Sequence, residues 1–151
     1  MGAEATSVEE ISPEMEEQVE ALLEAARYDD LDDLKGLESA GVSLDAKDSQ
    51  RRTALHMAAA NGHHGIIEYL ISKGVDLNSL NQEKNTPLHW ACLNGHVEVV
   101  RTLILAGADV SICNCHDRTP LDEASSQNNT DMFNAINEAI AQVELTRATV
   151  S

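Results

Sequence analysis

The sequence predicts an all-α fold: a solenoid of four 33-residue helix–turn–helix units joined by β-hairpins. Three observations predict it. Thr53-Ala54-Leu55-His56-Met57-Ala58 recurs as Thr86-Pro87-Leu88-His89-Trp90-Ala91 and as Thr119-Pro120-Leu121-Asp122-Glu123-Ala124, each time 33 residues on. Gly41, Gly74 and Gly107 keep the same step, as do Leu44, Leu77 and Val110. The chain of 151 residues is rich in Ala and Leu and has only four aromatic residues, Tyr28, Tyr69, Trp90 and Phe133, a composition that favours helix.

The first helix begins at Ser12-Pro13-Glu14, with Ser12 as N-cap and Val19, Leu22, Leu23 and Ala26 as its buried stripe. It holds Glu20 to Ala25 in the register of the Thr hexapeptide, without the capping Thr or the His. In the later units Thr caps the first helix, and Pro87 and Pro120 follow where a missing N–H is harmless. Leu55, Ala58 and Ala59 form one apolar face, and Asn61-Gly62 and Asn94-Gly95 break the helix. Ile66, Ile67, Leu70 and Ile71 mark a second helix, which Gly74 ends as a left-handed cap. The polar stretch from Asp76 to Asn85 is too short for a third helix and reads as a hairpin. Polar residues replace apolar ones at the two ends: Glu38 and Asn137 in the register of Ile71 and Ile104, and Asp33 in that of Ile66 and Val99. Terminal repeats need such polarity because no neighbour covers them. The expected organisation is an acidic flexible N-terminus at 1–11, a repeat domain at 12–144 with units near 15–47, 48–80, 81–113 and 114–144, and a C-terminal tail at 145–151. The set reads as a complete small solenoid.

Charge narrows the partners. The chain carries 26 acidic and 10 basic residues, a net charge of −16. Residues 1–48 hold 15 acidic and 3 basic, so −12 of the imbalance lies in the first third. Nucleic acid needs a basic footprint, so direct binding to it is not expected. No run of apolar residues is long enough to span a bilayer, and the first residues lack a secretory pattern. Cys92, Cys113 and Cys115 are too few for a disulfide framework and suit a reducing compartment, cytoplasmic or nuclear.

Thr86-Pro87-Leu88-His89, Asn94-Gly95-His96-Val97-Glu98-Val99-Val100 and Gly107-Ala108-Asp109-Val110 resemble the ankyrin repeat, over about residues 20–144. The resemblance implies a protein-binding module, not an enzyme. It implies hydrogen bonds from His56 and His89 near the helix start, and support of the helix turn by His63 and His96. Two residues before each Thr the family often has Gly. This chain has Arg51, Lys84 and Asp117 there, so strained or differently turned tips are expected.

Other constellations carry less chemistry. Cys113-Asn114-Cys115-His116 looks like half of a metal site, but zinc wants four ligands and only Cys92 remains. No metal or cofactor is expected. No phosphate-binding Gly-rich loop, nucleophile elbow or zinc-protease motif occurs, and Asp122-Glu123 are neighbours that do not face each other on a helix. Gly2 with Thr6 formally matches a myristoylation signal, but the acidic stretch behind it would be repelled by anionic lipid, so no membrane partner is expected. His64 and His116 have no repeat counterpart and are expected at the surface.

The expected partner site is the groove of first helices and hairpin tips through which the family binds: Arg52, Met57, Asn61, Gln82, Glu83, Asn85, Trp90, Leu93, Asn94, His116, Arg118 and Glu123. Trp90 suits either an aromatic anchor or a packing role. Glu20, Glu24, Asp29, Asp30, Asp32 and Asp33 form an anionic end suited to electrostatic capture of a basic segment, or to solubility and capping. Residues 53–63 and 85–95 are similar to the middle repeats of the small acidic ankyrin-repeat chaperones, known from yeast, that escort a small-subunit ribosomal protein. That similarity implies a monomeric escort for a basic client. The alternative is an adaptor or inhibitor docking on an enzyme such as a kinase. Small ankyrin-repeat kinase inhibitors usually have a shortened first helix in their second repeat, whereas residues 53–60 read as full length.

Overall fold

The computed structural model describes residues 12–126 and 128–150. Among the described residues eight helices pair as α1 (Pro13–Arg27) with α2 (Leu31–Ser39), α3 (Ala54–Asn61) with α4 (His64–Ser72), α5 (Pro87–Leu93) with α6 (Val97–Leu105), and α7 (Pro120–Ser126) with α8 (Thr130–Val150). The first helices stack in chain order, α1 on α3 on α5 on α7, and α4, α6 and α8 form a second row.

Local chemistry starts each element. The Ser12 hydroxyl accepts from the Met15 N–H at 3.1 Å, and Pro13 follows at the first helical position. Leu22, Leu23 and Ala26 are buried and Val19 half-buried. The turn between the two helices of a unit repeats its backbone conformation at the 33-residue step. Asp29, Gly62, Gly95 and Asn128 have φ of 62°, 73°, 77° and 56°. Gly62 is constrained twice, because a Cβ there would stand 2.6 Å from His96 Nδ1. Arg51, Lys84 and Asp117 at the loop tips are also left-handed, with φ of 64°, 65° and 61°. The expected strain is therefore real and recurs in each tip.

Two expectations are corrected. Among the described residues no β-strand forms, so the connecting segments are tight turns and not β-hairpins. Each is closed by two backbone bonds: one from Asp48 N to Arg52 O (3.0 Å), Asn81 N to Asn85 O (3.0 Å) and Asn114 N to Arg118 O (2.9 Å), and a second, at 2.9 Å, from Arg51 N to Asp48 O, Lys84 N to Asn81 O and Asp117 N to Asn114 O. The second correction concerns the expected tail from 145. The second helices of the first three units end at Gly41, Gly74 and Gly107, all with positive φ. Ile140 stands in that register in the last unit, so nothing stops α8 and it continues to Val150. The expected flexible segment 1–11 and the Gly2 signal lie outside the described residues.

Apolar side chains from every unit form one continuous core, including Leu22, Leu34, Leu55, Ile67, Leu88, Leu103, Met132 and Ile136. Among the described residues, no helix is long and apolar enough to cross a membrane.

Candidate functional site

The inner surface is positioned by hydrogen bonds that repeat with the sequence. Thr53 Oγ1 accepts from His56 N (3.2 Å) while Thr53 N donates to His56 Nδ1 (3.2 Å). With Nδ1 accepting, Nε2 carries the proton and donates to Asn85 O of the next unit at 2.8 Å. Thr86 and His89 repeat the pattern, and His89 Nε2 donates to Arg118 O at 2.8 Å. Each ring thus caps its own helix and fastens the following tip. Burial pushes the His56 ring down to about 4, and lowers His89 in the same direction. In the last unit Asp122 takes the same role, receiving Thr119 N at 2.9 Å, and that bond holds its carboxyl below the usual range. His63 and His96 bond carbonyls of the preceding unit, Arg27 O (2.7 Å) and Ala60 O (2.9 Å).

A second ladder escapes a reading by residue type. Asp48, Asn81 and Asn114 are 33 residues apart, and each turns a side-chain oxygen onto two N–H groups of its own tip. Asp48 Oδ1 accepts from Gln50 and Arg52, Asn81 Oδ1 from Glu83 and Asn85, and Asn114 Oδ1 from His116 and Arg118. Neighbouring tips are joined by Gln82 N to Gln50 O and Cys115 N to Glu83 O, both 2.9 Å. The spacing of these three residues was the available signal.

The expected partner residues fall into three groups. Asn61, Gln82, Glu83, Leu93, Asn94 and His116 are exposed, Leu93 by 42%. Asn61 and Asn94 also satisfy helix ends, their amides donating to Met57 O and Trp90 O at 2.8 Å. Arg52, Trp90, Arg118 and Glu123 are half-buried. Arg52 is spent on Asp48, at 2.8 Å and 2.7 Å, and Arg118 lies 3.3 Å from Glu123, which also receives the Asn114 amide. Trp90 meets the His56 ring edge-on at 5.3 Å, so it packs while still showing part of its surface. Met57 and Asn85 are corrected: they are 3% and 8% exposed. Arg27 covers Met57, donating to its sulfur at 3.3 Å, and Asn114 donates to Asn85 Oδ1 at 2.9 Å. Both positions are packing residues.

Glu20, Glu24, Asp29, Asp30, Asp32 and Asp33 are all exposed on α1, α2 and the turn between them. Among the described residues none of them is in an ion pair; Asp30 turns one oxygen onto Asp33 N at 3.1 Å, capping α2. Cys113 and Cys115 are exposed, whereas Cys92 is buried and its thiol is pushed up to about 12 by burial. Among the described residues, no three His, Cys, Asp or Glu side chains are grouped to hold a metal ion. His64 lies at the surface, as expected, its side chain 40% exposed, but it also carries a contact between two units. Its Nε2 stands 2.6 Å from Thr102 Oγ1 and links α4 to α6.

The periodic rings, ladders and turns make a scaffold that presents loops and helix faces. A 60-residue stretch, 40% of this chain, is 38% identical to the eye-specific diacylglycerol kinase of Drosophila melanogaster. It spans only 4% of that protein, so the kinase's activity belongs to the kinase. The family model for ankyrin repeats, in three copies, matches residues 22–114, more than half of the chain. With Thr–His capping boxes and left-handed turns recurring at the same 33-residue step, this chain belongs to the ankyrin-repeat family, whose members act as protein-binding modules.

Proposed function

We propose that this protein escorts a basic protein client, such as a ribosomal protein of the small subunit, in the cytoplasm or nucleus. The four helix pairs act as four repeats of one monomeric solenoid. The observation that carries the reading is the set of six exposed carboxylates on the first helix pair, none of them ion-paired, in a chain of net charge −16. Such a surface accelerates the encounter with a cationic segment. Trp90, Leu93 and the exposed tip residues Gln82, Glu83 and His116 supply contact area once the client is close. No nucleotide is required. RNA, with its denser negative charge, competes for the client and releases it.

The experiment is an affinity capture at low and at high salt, with partners identified by mass, followed by association kinetics with the captured client. A basic protein lost at high salt is the expected result. Neutralising Asp29, Asp30, Asp32 and Asp33 should mainly slow association, since at 0.15 M salt the field reaches only about 8 Å. Trp90→Ala should speed dissociation and cost about 2 kcal/mol if it is a hot spot, with helix content and midpoint unchanged. An acidic partner, or full affinity in Trp90→Ala, would overturn the reading. Salt-independent capture of a kinase would favour the adaptor or inhibitor reading, which the eight-residue length of α3 does not support.

A further inference from the structure

The outer face of the first helix pair is the one onto which a preceding repeat would pack. In the second unit the same face receives the first. Met57 accepts from Arg27, His63 donates to Arg27 O at 2.7 Å, and the Tyr69 hydroxyl donates to Glu38. Stepping these positions back by 33 gives Glu24, Asp30 and Gly36. Among the described residues nothing packs there, and the face is not flat. It holds a cleft of about 540 Å³ lined by Ala21, Glu24, Tyr28, Asp30, Asp33 and Gly36, among others.

Capping the solenoid requires only that this face be polar. It does not require a hollow. The hollow exists because Gly36 stands where Tyr69 and Thr102 stand in the next two units. Gly36 lies within α2, where glycine is a poor helix former, and a Cβ added there meets nothing within 4 Å. Any side chain would fit and would favour the helix, yet the position is empty. Beside it the Tyr28 ring is 69% exposed, and Glu24, Asp30 and Asp33 have no cation partner.

We infer that this uncovered face docks an arginine side chain presented by a basic segment of the protein partner. A guanidinium carries a planar fork of donors for carboxylates and a flat, weakly hydrated face for an aromatic ring, and the cleft offers both partners over a floor of small residues. Lysine has the charge without the plane. Residues 1–11 contain Glu4, Glu9 and Glu10 and no basic side chain, so they bring no side-chain cation to the cleft. A second copy brings another net −16. The inference rests on the reading of a basic client and names how one of its residues is held.

The test uses the full chain and an unstructured Gly/Ser peptide carrying several arginines, with its lysine counterpart, titrated at low salt by NMR and calorimetry. The arginine peptide should shift the amides of Tyr28, Asp33 and Gly36 and bind more tightly than the lysine peptide. Gly36→Leu fills the cleft without changing charge and should weaken the arginine peptide about tenfold. Gly65→Leu makes the same change on α4, where a Cβ also meets nothing, and should leave binding unaltered. Tyr28→Ala, at an exposed position, should act like Gly36→Leu and covers the case in which that variant misfolds. Wild-type affinity in both Gly36→Leu and Tyr28→Ala, or shifts confined to the loop tips, would overturn the inference. So would a dimer that Gly36→Leu dissolves. A captured client held equally well by Gly36→Leu sinks the cleft and leaves the escort reading standing. Absence of any basic client from the capture sinks the escort reading, while the peptide titration still judges the cleft.

Discussion

The two inner units and the two terminal ones follow one register but are held differently. In α3–α4 and α5–α6 the cap is a buried Thr–His pair whose ring also fastens the next tip, and Ile67 and Val100 are fully covered. In the first unit Asp30 caps α2 alone, and in the last an exposed Asp122 replaces the ring. Phe133, in the register of Ile67 and Val100, is 41% exposed. Identical spacing therefore yields a middle fastened from both sides and ends fastened from one, because only the inner units have a neighbour on each side. The ends are consequently where charge and open surface collect.

The sharpest way to break this comparison is a pair of truncations. Leu88→Ala, at a fully buried position, should cost about 2–5 kcal/mol, and Leu121→Ala, half-buried in the same register, about 1–2 kcal/mol. Equal shifts in the denaturation midpoint would contradict it. Acid should act next. His56 titrates near 6.5 when unfolded and at about 4 when folded. Its contribution is complete above pH 6.5 and is lost as pH falls from there to about 4, on the order of 3 kcal/mol. His89 acts in the same direction. Asp122 is lowered as a carboxylate, so its contribution persists until pH falls below the ordinary carboxylate range. Stability followed against pH should thus fall first through the inner units, and a curve flat from pH 7 to 4 would refute this.

Gly62→Ala should destabilise by about 2 kcal/mol, combining a left-handed Ala with displacement of the His96 ring. Denaturation should show it clearly, and a neutral outcome would mean the turn can be rebuilt. Smaller and opposite in sign, Arg51→Gly and Lys84→Gly should each raise stability by about 0.5–1 kcal/mol by relieving positive φ. A loss at either site would assign its side chain a contact worth more than the strain. Smallest of all is the effect of a chelator. Melting curves with and without it should superimpose, and a lowered midpoint restored by zinc would make Cys113, Cys115 and His116 ligands.

Much of the scaffold was legible because each unit solves the same local problem with similar residues. Thr as cap, Gly as stop and Ile/Leu stripes at helical spacing all act within a few residues. The candidate surface was legible only in part. Met57 shares a register with the half-exposed Trp90, and nothing local distinguishes them; Arg27, thirty residues earlier, covers one. Asn85 is polar and sits in a loop, which reads as solvent-facing, yet Asn114 of the next unit buries it. His64 finds Thr102 from another unit. In each case the deciding partner is about one repeat away in sequence.

What the sequence determined by itself is periodic: the 33-residue step, helix starts and stops, strained tips and the excess of carboxylates at one end. These follow from backbone geometry and charge, which are local or additive. The tertiary structure decided which members of a register face a neighbour. It buried Met57 and Asn85, left Leu93 and Phe133 in solvent, extended α8 where Ile140 replaces a glycine, and left a hollow beside Gly36. Exposure is a property of the stacked units, so it depends on side chains that no single repeat contains.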